Sequence, residues 1–195
     1  WLDFLALLST PTLNLDAFLA LCSQAVSVLP LSGRLWAVYL RAITRCQRPK
    51  SHMLALYEKA AHSRGVALLG GASLLSLLQA RIDCERAYAA MELAHAQKKS
   101  PDQVLVVTEM DHFMHVYELF LHSISAMQRL PASEQDASVA LERCAVDWIE
   151  RAARALAQTA GLEASAGLYP LADDVWTHAL EQHPMHATAY LEAAQ

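Results

Sequence analysis

Residues 29–40 read Leu-Pro-Leu-Ser-Gly-Arg-Leu-Trp-Ala-Val-Tyr-Leu (LPLSGRLWAVYL), and this stretch sets the fold. Its core, Trp36-x-x-Tyr39-Leu40, has a counterpart 35 residues earlier in Trp1-x-x-Phe4-Leu5. A second pair of markers, Cys22 and Tyr57, is also 35 residues apart. Two consecutive units therefore share one internal spacing, and a recurring period of this size is the mark of a stacked repeat.

The other half of the unit recurs near the end of the chain. Cys22, Ala25, Pro30 and Trp36 can be laid on Trp176, Ala179, Pro184 and Tyr190 with identical steps. The expected unit is a helical hairpin. Helix A carries a bulky ring that fills the space between its own helix B and the next unit. Helix B carries a small alanine (Ala25, Ala60, Ala179) where two helices approach closely. A proline then ends helix B and opens the next helix. A lone hairpin cannot bury both of its faces, so such units stack.

Composition agrees. Of the 195 residues, 54% are hydrophobic while Gly and Pro number only 6 and 7. The Ala and Leu that dominate lose little rotamer freedom in a helix. Helices are expected over about 1–9, 15–29, 33–46, 51–64, 73–98, 101–129, 134–159 and 171–183, with a further one from about 185. Ser100, Pro101 and Gln103 supply the cap, first-turn proline and capping-box residue of the sixth. Gly161–Pro170 reads as a loop. The expected fold is all-α, a right-handed α-α superhelix of stacked hairpins over 1–195. Its units are about 1–32, 33–70, 71–132 and 133–184, with a further one starting at 185–195. A chain that opens on Trp1 and closes on the apolar Tyr190–Gln195 is expected to be a piece of a longer protein.

Charge and cysteine usage exclude several roles. The net charge of −5, with both signs interspersed, gives no whole-chain attraction to nucleic acid or to an anionic membrane. Cys22, Cys46, Cys84 and Cys144 lie far apart and form no C-x-x-C pair. They read as reduced core thiols of an intracellular protein. Val66–Leu78 is an apolar run too short for a membrane span and is broken by Gly70 and Gly71.

The segments Arg34–Leu40 (RLWAVYL), Leu54–Ala60 (LALYEKA) and Ala172–Leu191 resemble the half-a-TPR (HAT) repeats of RNA-processing proteins. The order of spacings is most similar to that of the U4/U6 snRNP recycling factors. The features shared are the Trp-Leu-Asp-aromatic opening, the Leu29–Trp36 connection, the helix with Ile82-Asp83-Cys84-Glu85-Arg86, the Trp148 helix, and Val175-Trp176 before Tyr190. The basic residue that usually precedes the helix-B alanine is kept only as Lys59, and the helix around Leu74–Arg81 has no Trp.

The resemblance implies a non-catalytic protein-interaction scaffold in the nucleus, working in pre-mRNA splicing. Its partners would be spliceosomal snRNP proteins, and the array can self-associate into a homodimer. RNA would be handled by RNA recognition motifs elsewhere in the full-length chain. The rival machines are cleavage and polyadenylation or ribosome biogenesis.

Candidate chemistry is sparse. No cofactor, metal or catalytic residue is assigned. Glu92-x-x-His95 and Glu109-x-x-His112 have the spacing of di-iron bundle ligands, but such bundles require two further inward Glu. A helical-bundle metalloenzyme is the rival from another class. His112, His115 and His122 share one helical stripe, expected on a solvated face or groove wall. The basic run Arg34, Arg41, Arg45, Arg48 and Lys50 is the one surface singled out for an acidic partner or RNA phosphates, against a plain solvated face. Trp1, Trp36, Trp148 and Trp176, with Tyr39 and Tyr57, are read as structural.

Overall fold

A computed structural model describes residues 14–62, 70–99, 105–129, 136–160 and 167–182. Seven helices occupy them: α1 (Leu15–Val28), α2 (Gly33–Arg45), α3 (Lys50–His62), α4 (Gly71–Lys99), α5 (Leu105–Gln128), α6 (Asp136–Ala160) and α7 (Tyr169–Gln182). Among the described residues there is no strand, so the fold is all-α. No helix among them is long and apolar enough to cross a membrane.

Local chemistry explains the boundaries. Asn14 caps α1 by accepting from the Asp16 N–H at 3.0 Å, and Ser32 caps α2 by accepting from the Leu35 N–H at 3.4 Å. The α2–α3 turn passes through Gln47 at φ 51°, a left-handed conformation that lets the Gln47 and Arg48 amides bond back to the last turn of α2. Gly70, at φ 66°, precedes α4 and accepts from the Leu74 N–H at 3.0 Å.

Two expected boundaries move. Helix α4 starts at Gly71 rather than Ser73, because Gly70 supplies the turn. Helix α7 starts at Tyr169, which takes Pro170 out of the expected loop and into the first helical turn. There its missing N–H forfeits no intrahelical bond. The expected helices at 1–9 and from 185, and the Ser100–Gln103 capping signal, lie outside the described residues.

Each helix packs chiefly against helices one or two places along the chain. Sequence neighbours touch throughout, and the even-numbered helices also meet one another, α2 on α4 and α4 on α6. Helices α2 and α4 come close at Gly33, where an added Cβ would lie 2.1 Å from the Ser73 carbonyl oxygen. Ala25, Ala37, Ala60, Ala80, Ala145 and Ala153 are buried along the same core, small side chains that admit close helix contact.

The aromatic markers take structural places. Trp36 is 2% exposed and its Nε1–H donates to the Pro30 carbonyl at 2.7 Å, tying α2 to the turn before it. Trp148 stacks on Phe113 with centroids 4.6 Å apart and tilts against Phe120 at 5.3 Å. Tyr39 and Tyr57 are half-buried against the core. Trp1, Pro184 and Tyr190, and the side chains of Trp176 and Ala179, lie outside the described residues.

Candidate interaction site

Charge enters the core of this fold at Glu85. Its side chain is 1% exposed on α4, yet it faces three basic groups. Arg81, one turn earlier, places a guanidinium nitrogen 2.7 Å from one carboxylate oxygen. Lys50, at the start of α3, brings Nζ to 2.8 Å from the other, and the His115 ring of α5 stands 3.7 Å away. Neither oxygen has a well-aligned hydrogen bond, so charge–charge attraction offsets the desolvation cost. Arg81 is itself sandwiched, with its guanidinium 5.0 Å from the Tyr57 ring centroid. The Lys50 pair ties the start of α3 to α4, with the His115 ring of α5 alongside.

On α4 the next stripe outward is Gln79, Ile82, Asp83 and Arg86, spaced as one helical face. Cys144, Trp148 and Arg151 form a similar stripe on α6. Together with Arg41 of α2 and Phe120 of α5, these two stripes enclose a recess of about 270 Å³. Its floor is apolar, with Ile82, Phe120 and Trp148 all buried. Its rim carries three guanidinium groups and one carboxylate. Arg41 holds Asp83 at 2.8 and 3.2 Å through two nitrogens. Arg151 donates its Nε–H to the Asp147 backbone carbonyl at 2.9 Å. Among the described residues, no carboxylate lies within ion-pair distance of Arg86 or Arg151.

A second, shallower recess of about 620 Å³ lies between the α2–α3 turn and α4, lined by Gln47, Arg48, Pro49, Lys50, Tyr88, Met91, Glu92 and His95. The Tyr88 hydroxyl donates to the Arg48 carbonyl at 2.7 Å and fixes that turn.

The basic run singled out in the sequence is thus divided. Arg41 borders the first recess and pairs with Asp83. Arg48 pairs with Asp16 of α1, and Lys50 with the buried Glu85, both beside the second recess. Arg34 and Arg45 are exposed on α2. Three of the five cations are therefore engaged within the chain.

The histidines and thiols have identifiable surroundings. Glu92 reaches across to His112 Nε2 at 3.2 Å. The Glu109 side chain lies outside the described residues. His122 Nδ1 donates to the Glu118 carbonyl at 2.8 Å. Among the described residues, no three His, Cys, Asp or Glu side chains gather as a metal site. All four cysteines are free. Burial, with a smaller contribution from Cys46, pushes the Cys22 thiol up to about 11. Burial also raises Cys84 and, against the opposing Gln79 amide, Cys144 at the recess. These groups are held as neutral thiols, the form that is poor as nucleophile or metal ligand.

The sequence reading missed the recess because its walls come from four helices. The α4 stripe was legible, since Gln79, Ile82, Asp83 and Arg86 follow helical spacing, but nothing local says that Trp148 and Arg151 stand opposite. No family model, curated protein or solved structure matches this chain.

Proposed function

We propose that the chain is a non-catalytic protein-interaction scaffold, a right-handed α-α superhelix of HAT hairpins serving nuclear RNA processing. Its place is pre-mRNA splicing, in the assembly and recycling of the U4/U6 snRNP, with snRNP proteins as partners. The α2–α3, α4–α5 and α6–α7 pairs are then successive units, and α1 is the second helix of the preceding one. The observation that carries the reading is the Trp36-x-x-Tyr39-Leu40 and Ala60 pattern, together with the packing of α2 on α4 and α4 on α6. Contact between like helices of successive hairpins is how a repeat array buries its second face. Neutral thiols and a buried carboxylate held between Arg81 and Lys50 favour a structural over a catalytic use of these groups.

Affinity capture from nuclear extract, read by mass spectrometry and by probing for U4 and U6 RNA, tests this. The expected result is co-enrichment of U4/U6 snRNP proteins. Enrichment of cleavage and polyadenylation or pre-ribosomal proteins transfers the scaffold to another machine, and capture of none of these overturns it.

A further inference from the structure

The recess bordered by Arg41, Arg86 and Arg151 has a chemistry that identifies its occupant. We infer that it is a receptor for an acidic peptide segment, the arginines receiving its carboxylates and the recess floor an adjoining apolar side chain. The inference rests on the scaffold reading and specifies one partner surface of that scaffold.

Charge complementarity selects the ligand. Three guanidinium groups line the recess with one carboxylate, Asp83, which Arg41 already holds, while the Asp147 carboxylate acts on the lining Cys144 from outside it. Arg86 and Arg151 therefore present planar forks suited to bidentate carboxylate capture, with no ion-pair partner among the described residues. Both side chains are exposed and project from different helices, so their charges converge on the recess only in the folded array.

Size and surface argue for side chains of a peptide. At about 270 Å³ the recess falls below the roughly 300–1,000 Å³ of sites that enclose drug-sized ligands.

RNA is disfavoured on two counts. Single-strand binding relies on open ring faces for bases to stack on. Here Phe120 and Trp148 are 3% and 9% exposed, and the Trp148 face is covered by Phe113 at 4.6 Å. Phosphate tracking also needs a continuous line of free cations, whereas Arg41, Arg48 and Lys50 are paired within the chain.

Fluorescence anisotropy of the whole chain with a fluorescein-labelled Glu-Glu-Leu-Glu-Glu-Leu-Glu peptide tests the inference. An Ala-for-Glu version and a labelled twelve-residue poly-uridine RNA run in parallel. The acidic peptide is expected to bind, more weakly as salt rises, and the Ala version to fail. R86E combined with R151E should weaken binding by at least roughly tenfold, as for charges facing each other across an interface. R86Q with R151Q should give an intermediate loss, and circular dichroism should show both variants helical. Peptide affinity equal in wild type and both variants, no peptide binding at millimolar concentration, or RNA binding that the variants abolish would each overturn the inference. If the charge-reversed chain still captures U4/U6 snRNP proteins as well as wild type, the recess is refuted while the scaffold stands. If the wild type captures none of them and the peptide still binds at the recess, the splicing assignment is the part that fails.

Discussion

Gly33 at the start of α2 lies directly against the Ser73 backbone of α4, so close that a methyl group on Gly33 would sit 2.1 Å from the Ser73 carbonyl oxygen. That contact sets how near α2 and α4 approach, and therefore the spacing of two successive even-numbered helices.

Gly33→Ala should separate them. The atom met is backbone, which cannot rotate away as a side-chain tip can. An overpacking cost of about 3 kcal/mol is expected, read as a lower urea midpoint. An unchanged or higher midpoint would show that the α2–α4 contact is looser than described.

Trp36 contributes through both volume and a donor. Trp36→Phe keeps most of the ring but leaves the Pro30 carbonyl without its 2.7 Å partner, costing about 1–2 kcal/mol. Trp36→Ala also opens a cavity at a side chain 2% exposed, costing about 3–5 kcal/mol. Thermal and urea unfolding should rank the two in that order. Equal losses would mean that ring volume is irrelevant there.

Burial decides which ion pair matters. Arg81→Met strips one partner from a carboxylate 1% exposed, with an expected loss of about 3–5 kcal/mol. Arg41→Met breaks the pair to Asp83, where the side chains are 44% and 48% exposed, and should cost less than about 1 kcal/mol. Arg81→Met combined with Glu85→Leu should recover much of the first loss, because no buried charge is left unpaired. Chemical denaturation of the four chains checks this, and a double variant no better than Arg81→Met alone would argue against the charge account.

Alkaline pH should destabilise the fold. Cys22 titrates near 9.0 when unfolded and near 11 when folded, so the unfolded state loses its proton first. The stabilisation is complete below pH 9 and disappears as pH rises through 11, on the order of 2–3 kcal/mol for this group. Cys84, Cys144, Tyr57, Tyr88 and Tyr117 are all raised by burial and act in the same direction. Unfolding midpoints should hold steady from pH 7 to 8.5 and then fall. Cys22→Ser should flatten part of that fall; a midpoint rising with pH would contradict the assignment.

Much of the helix layout was legible because it is local. The turn prolines act within a few residues, and the 35-residue recurrence of Trp36 and Tyr57 marks where ring and alanine positions return. Pro170 was misplaced because a proline stops a helix or begins one with equal ease, and its neighbours did not distinguish the two.

The sequence by itself determined the all-α class and the helix boundaries to within a few residues, along with the burial of Trp36, Trp148, Ala25 and Ala60. These follow from periodicity and propensity, which each residue expresses in its own surroundings. Only the tertiary structure decided that Lys50 turns toward a buried Glu85 and that Arg41 pairs with Asp83. It alone showed that Gly33 is a contact point and that Arg86 and Arg151 flank one recess. Those relationships join residues as far as 65 positions apart. Which distant side chains meet depends on helix packing angles summed over the whole array, and no single segment encodes them.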